Sequence, residues 1–426
     1  MTCRFLIVLL FSLYFVFLSA QSENYLISSD TTIASLGNKR VMEGNVMING
    51  ISSIEELRNI EVILGDLKIE NLELEEHNTY FSLPSLKQVA GNLLIRNINS
   101  PATVFLDSLL EVKSIVIENN DSLEFVSLRR LESVQGHLSL KNNNVIGSLN
   151  IETVANLKMN AVEIKNNPKL YAFFPPNIDE IDSIEIIDNR GLRMLAWPSL
   201  VKINRHIDIS NSVTQGVSQF PNLEIVGNYV RLENIPLGAF IKFENLRIIG
   251  TGNKESDSGL IISDIAKLHS IELPELVDIN GELSIINTQN SHFVAVKMPK
   301  LEQINSLKIV NNAHFEDLDF LRSIKSISDS VVIKGNEKLS SCRLPFICSL
   351  DDNVLENQLT IANNLDCCVD IKSLREECEE KCCPDSSTYI FDQCDVFIYK
   401  TDAGECYEIN IDANGKPQLK KVSCPD

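Results

Sequence analysis

The sequence predicts an all-β chain wound as a parallel β-solenoid, and three recurring features predict it. The first is a short strand of the form apolar–x–apolar that returns about every 23 residues. It stands at Leu67-x-Ile69, Leu93-x-Ile95, Ile115-x-Ile117, Leu138-x-Leu140 and Val162-x-Ile164. The second is an asparagine two positions past the strand: Asn71, Asn97, Asn119, Asn142, Asn166, Asn211, Asn234, Asn287, Asn311 and Asn363. Where asparagine is missing, the register holds Gly50, Asp188, Asp264 or Gly335. These residue types tolerate left-handed backbone angles, so one corner is being built many times. The third is a run of apolar residues spaced by three, such as Leu83-x-x-Leu86-x-x-Val89 and Phe220-x-x-Leu223-x-x-Val226. A proline often follows its first member, as at Pro84, Pro198, Pro221, Pro274 and Pro299. Proline removes a backbone donor and opposes a helix interior, so these runs read as short extended pieces that turn a corner.

The elements follow in chain order. Residues 1–20 read as a secretory signal, with Arg4, an apolar run from Phe5 to Phe17, and the small residues Ser19 and Ala20. Residues 21–41 form an N-terminal cap, because the end of a solenoid leaves strand edges to cover. The coils run from 42 to 340, with strands beginning at 46, 67, 93, 115, 138, 162, 184, 207, 230, 260, 283, 307 and 331. A fourteenth strand, Leu359-Thr-Ile361, falls inside the cysteine-rich closing segment at 341–383, and a small β module occupies 384–426. One coil buries too little apolar surface to offset the entropy of ordering its backbone, so the coils must stack. The recurrent asparagine then takes two compatible roles: left-handed corner, and a ladder of stacked side-chain amides that satisfies buried backbone groups.

Eleven cysteines are present. Without Cys3 in the signal, ten remain, all between Cys342 and Cys424: Cys342, Cys348, Cys367, Cys368, Cys378, Cys382, Cys383, Cys394, Cys406 and Cys424. An even count in an exported chain predicts disulfides, here a cap over the last coil. Zinc at Cys378-x-x-x-Cys382 is the alternative. Connectivity stays open, apart from the expectation that Cys406 and Cys424 face each other across a hairpin turning at Asn414-Gly415.

The pattern Gly91-x-Leu93-x-Ile95-x-Asn97, joined to the proline-marked runs, resembles the receptor L-domain repeat of insulin and epidermal growth factor receptors. The likeness covers about residues 42–365. An ordinary leucine-rich repeat places its asparagine three residues past the last strand leucine, whereas the offset here is two. The segments Asn336 to Cys342, Pro345 to Cys348, Ala362-Asn-Asn364 and Gly404-Glu-Cys406 resemble the closing coil and β module of secreted bacterial proteins of this class. The resemblance implies a right-handed L-domain-type solenoid, and it implies ligand binding, because single lobes elsewhere bind proteins. The chain lacks the cysteine-rich inter-lobe module, membrane span and kinase of the animal receptors.

The 38 basic and 58 acidic residues leave a formal charge of −20, which argues against nucleic acid and anionic membranes. No nucleophile elbow, phosphate loop, HExxH or EF-hand motif occurs. His137 and His206 share a strand position three coils apart, too far for a common metal, and His292 and His314 each precede a phenylalanine. Outward carboxylates Glu163, Glu185 and Asp208 interleave with Lys141 and Lys165. Such stacks serve pectin-cleaving β-helices, so a polysaccharide-active enzyme is the second reading. The candidate binding face is Ile261, Ile286, Val310 and Val332 with Lys308, apolar where the pattern points to solvent. Its cover is either an external partner or the C-terminal module. The expected function is a secreted or cell-surface protein that binds or scaffolds without catalysis. It needs no cofactor or metal, its partner is an extracellular protein or glycan, and a receptor-like ectodomain is a further alternative.

Overall fold

A computed structural model describes residues 24–28, 39–51, 55–74, 79–151, 157–175, 177–212, 220–235, 239–251, 258–289, 295–349, 358–378, 389–392, 396–400, 406–411 and 417–422. The signal-like stretch 1–20 lies outside them. The chain divides into two compact units, residues 1–245 and 246–426.

In the first unit, the predicted strands stack in parallel and in register. Val46 pairs with Leu67, Leu67 with Leu93, Leu93 with Ile115, and Ile115 with Leu138. The column continues through Val162, Ile184, Ile207 and Val230. Its members are buried, as are Ile48, Ile69, Ile95, Ile117, Leu140, Ile164, Ile186, Ile209 and Leu232 two residues on. The apolar–x–apolar strand is therefore the inward half of a pleat whose middle residue faces out. Asn24–Ile27, inside the stretch expected as a cap, is itself a strand paired with Asn45–Ile48.

A second parallel sheet in this unit was not visible in the repeat pattern. Its strands are Tyr80–Ser82, Ala102–Phe105, Leu123–Ser127, Ser148–Asn150, Ala172–Phe173 and Met194–Leu195. Each is short and buries one to three side chains, among them Phe81, Val104, Val126, Leu149 and Phe173. Between the sheets, the apolar positions spaced by three fill the core. Phe173, Trp197, Phe220 and Phe243 form a buried aromatic column with successive centroids 6.0, 6.2 and 5.7 Å apart.

The corner after each strand is left-handed. Asn71, Asn97, Asn119, Asn142, Asn166, Asn211 and Asn234 have φ between 47° and 57°, and Asp188 takes 58°. In the second unit, Asp264, Asn287, Asn311 and Asn363 do the same at 54–59°, and Gly335 at 69°. These corner amides also stack at exposed positions: Asn142 Nδ2 donates to Asn119 Oδ1 at 3.0 Å, and Asn166 Nδ2 to Asn142 Oδ1 at 2.9 Å. The buried backbone, however, is satisfied by the next residue. Asn120, Asn143, Asn167, Asn189 and Ser212 are all fully buried. Each donates to a strand carbonyl of the preceding coil, as Asn143 Nδ2 does to Ile117 O at 3.0 Å and Asn167 Nδ2 to Leu140 O at 2.9 Å. Their oxygens accept from the preceding coil, as Asn167 Oδ1 does from the Asn143 N–H at 3.1 Å and Asn143 Oδ1 from the Asn120 amide at 2.7 Å.

In the second unit, Leu260, Leu283, Leu307, Val331 and Leu359 form the inward column. Thr288, Asn312, Asn336 and Asn364 form its buried ladder. The last coil meets a cap containing two short helices, Pro345–Cys348 and Ile371–Cys378. Disulfides Cys342–Cys368 and Cys348–Cys378 tie the cap. Cys367 is also disulfide-bonded. Cys378 is therefore committed to sulfur, which overturns the zinc alternative at that residue. Glu377, buried in the cap, accepts hydrogen bonds from the Ser341 hydroxyl and the Cys342 N–H. The terminal module is a four-stranded antiparallel sheet, Tyr389–Asp392, Val396–Lys400, Cys406–Ile411 and Pro417–Val422. It contains the expected pair of strands, but the residue opposite Cys406 is Val422 and not Cys424, so the expected facing of the two cysteines is not met in the register. Cys382, Cys383, Cys394 and Cys424 lie outside the described residues, as does the Cys406 side chain.

Candidate binding faces

The pleat that buries one set of residues turns the other set outward, and in the first unit this outward face is charged. Register alignment brings Ser139, Glu163, Glu185, Asp208 and Arg231 into one column. Glu118, Lys141, Lys165, Ile187, Ser210 and Glu233 make the next. Strands ~4.8 Å apart put unlike charges in reach. Glu163 binds Lys141 and Lys165, each at 2.6 Å, and Lys165 also binds Glu185 at 2.6 Å. Glu185 closes on His206 Nε2 at 3.0 Å. The His206 ring stacks on Tyr229 at 4.7 Å and 5°, and the Arg231 guanidinium lies 5.0 Å from the centre of the same ring. Arg231 reaches Asp208 at 3.3 Å, and the Ser210 hydroxyl donates to the other Asp208 oxygen.

The network determines its own titration. Burial pushes the Glu163 carboxyl up, but hydrogen bonds and charge from Lys141 and Lys165 outweigh it, so its pKa lies below the ordinary 4.5. Glu185 behaves alike, with Lys165 and His206 outweighing its burial. The Lys165 ammonium is disfavoured by burial, yet Glu163 and Glu185 hold it above 10.5. Tyr229 is raised by burial first and the Asp208 charge second. A lowered carboxylate stabilises the fold above its unfolded value and loses that stabilisation as pH falls through the folded value. The thermal midpoint of the first unit is therefore expected to drop as pH goes below 4.5. In Lys165→Met, the drop is expected to be shallower, because the shared cation that lowers both glutamates is gone. Parallel midpoint–pH curves for the two proteins would refute the coupling. A glycosidase acid needs a raised pKa, whereas Glu163 and Glu185 are lowered and cation-bound.

The apolar face lies in the second unit. Ile261, Ser284, Lys308, Val332 and Thr360 form one outward column, and Ser263, Ile286, Val310, Lys334 and Ala362 the other. Ile286 and Val310 are direct register partners, and Lys308 and Val332 are partners beside them. Ile261, Ile286, Lys308, Val310 and Val332 are all half-buried. Between them, the Ser284 hydroxyl is buried and has no hydrogen-bond partner among the described residues.

The remaining candidates separate. His137 is exposed and stands three register steps from His206, through Ala161 and Ser183. His292 lies outside the described residues, while His314 borders a cleft of about 310 Å³ with Phe315, Glu316, Asp317 and Phe320. Among the described residues, no cluster of three metal-ligating side chains forms, and no helix is long and apolar enough to cross a membrane. Tyr229 and Arg231 were missed from the sequence as members of the charged network, although Tyr229 shares His206's strand position one coil later.

A parallel solenoid of about 23-residue coils, with a left-handed asparagine corner and outward sheet faces, defines a receptor L-domain-like repeat protein. Residues 199–304 match the family model described as Receptor L domain. Sporulation-specific protein 22 of Saccharomyces cerevisiae is 23% identical over 284 residues, which cover 65% of this chain and 56% of that protein. Sporulation-specific protein 2 of the same yeast is 20% identical over 279 residues, 63% of this chain and 51% of that protein. The chain thus spans about half the length of these relatives. No solved structure matches it significantly. The family match and the relatives' names point to non-enzymatic proteins, and nothing in the comparisons supports the narrower likeness to bacterial members.

Proposed function

We propose that the protein is a secreted, non-catalytic binding protein that seats an extracellular partner on the aliphatic outward face of its second unit. The observation that carries this reading is the row Ile261, Ile286, Val310 and Val332 on an outward sheet face with Lys308 among them. Aliphatic side chains there gain by being covered, and a nearby ammonium adds direction to the contact. The charged face of the first unit is the poorer docking surface, because its ions already satisfy one another and a partner would have to displace them. The receptor L-domain match, the disulfides of the cap and the signal-like residues 1–20 support an extracellular setting.

The test is capture of partners by the tagged full chain from the extracellular medium of its source cells, with Ile286→Glu and Val310→Lys variants alongside. Either charge placed mid-face is expected to lower capture at least about tenfold, while circular dichroism stays native. Undiminished capture by both variants would remove this face as the docking site.

A further inference from the structure

The second sheet of the first unit also has an outward face, and it differs in kind from the other two. Register places Tyr80, Thr103, Phe125, Ser148, Ala172 and Met194 in one outward column. Ser82, Phe105, Ser127 and Asn150 make the other, within which Ser127 is itself fully buried. None of these ten positions is charged, in a chain whose charged residues make up 23%. On the first sheet of the same unit, the facing columns carry Glu163, Lys165, Glu185, Asp208 and Arg231. Three rings touch across the uncharged face. Tyr80 and Phe105 meet edge to face at 6.5 Å and 66°, and Phe105 and Phe125 at 6.2 Å and 63°. Tyr80 is 44% exposed, Phe105 and Phe125 are half-buried, and Met194 is 40% exposed. Hydroxyls from Ser82, Thr103 and Ser148 are interleaved at half-buried positions. Asp107 and Glu124 stand outside the columns: Asp107 accepts from Ser127, and Glu124 sits at the irregularity in its strand.

We propose that this face binds an uncharged polysaccharide. Pyranose rings present an apolar C–H face and a rim of hydroxyls, which fits aromatic rings set among serine and threonine hydroxyls. A neutral ligand asks for no counter-charge, and the face offers none. A charged chain would lose water without gaining an ion pair. Parallel strands repeat at ~4.8 Å, so rings and hydroxyls recur along the stacking direction, as a linear polymer repeats its own contacts. A protein partner is the competing occupant. The hydroxyls interleaved with the rings favour the glycan, because every sugar unit presents hydroxyls to meet them beside its apolar C–H face, whereas the core of a protein docking site is lined mainly by apolar and aromatic side chains.

The experiment is co-sedimentation of the full chain with insoluble β-1,3-glucan, cellulose and chitin, and affinity electrophoresis in soluble polygalacturonate as the charged comparator. At least one neutral polymer is expected to retain the protein, equally at about 0.1 and about 1 M salt, since no ion pair is there to be screened. Phe105→Ala is expected to lose roughly tenfold in affinity, whereas Phe105→Tyr keeps binding because the ring is kept. Ile286→Glu, which tests the docking face of the second unit, is expected to leave retention unchanged, so the two surfaces can fail separately. The proposal is overturned if no neutral polymer retains the protein, if Phe105→Ala binds as well as the parent, or if only polygalacturonate is bound. Loss of captured extracellular protein in Phe105→Ala, with glycan retention intact, would assign the strip to a protein and overturn it too.

Discussion

Replacing Asn167 with alanine is expected to cost the first unit about 3–5 kcal/mol, while the same change at its neighbour Asn166 costs about 1–2 kcal/mol. The two asparagines are adjacent and chemically identical, so the contrast isolates position. Asn166 is exposed, with φ 54°, and its amide donates to Asn142 at 2.9 Å. Alanine there loses an exposed hydrogen bond and strains the left-handed corner, and glycine is expected to restore most of the loss. Asn167 is fully buried. Its oxygen accepts from the Asn143 N–H at 3.1 Å and the Asn143 amide at 2.9 Å. Its amide donates to Leu140 O at 2.9 Å, Lys165 O at 3.0 Å and Asn189 Oδ1 at 3.1 Å. Alanine would leave the Asn143 N–H and the Leu140 carbonyl buried without those partners, and water cannot substitute in a packed core. Denaturant unfolding reports this directly, because the chain's single tryptophan, Trp197, is buried in the same unit. Equal losses at the two positions would mean that the buried ladder contributes nothing beyond the corner.

Trp197→Ala is expected to destabilise the first unit by about 3–5 kcal/mol, the range for emptying a large aromatic site. Trp197 stands between Phe173 at 6.0 Å and Phe220 at 6.2 Å, nearly parallel to the latter at 12°. Its removal opens a void that neighbours held by ladder hydrogen bonds cannot collapse to fill. Trp197→Phe separates volume from polarity. The indole N–H is buried with no hydrogen-bond partner among the described residues. Phenylalanine removes that donor, which offsets part of the lost volume, so its cost is expected to stay below about 1.5 kcal/mol. Circular-dichroism melts of both variants check this. A phenylalanine variant as damaged as the alanine one would show that the indole N–H has a partner after all.

These two residues mark how far the chain could be read before its structure was known. The corner residues were legible because left-handed backbone restricts composition to Asn, Asp and Gly wherever it recurs. Asn142-Asn143 and Asn166-Asn167 were visible as doublets, but the repeat pattern selected the first of each pair and passed over the second. Which amide points inward depends on how the chain leaves the strand, and an identical neighbour carries no signal of that. The second sheet escaped for a similar reason. Its strands are only two to five residues long, too short to sustain an alternating pattern. The outward positions of Ile261, Ile286, Val310 and Val332 followed from counting along single strands. The pairing of Glu185 with His206, and of His206 with Tyr229, needed the register between coils.

By itself, the sequence determined the coil length, the inward apolar columns and the left-handed corner, because each is a local demand repeated along the chain. Only the tertiary structure decided which coils lie side by side. That stacking joins groups about 23 residues apart into the buried amide ladder, the charged network and the aromatic strip. Hydrogen bonds and ring contacts act over a few ångströms of space, so their partners are set by strand register and coil-to-coil spacing. A one-residue slip would have exchanged buried and outward faces without changing the composition.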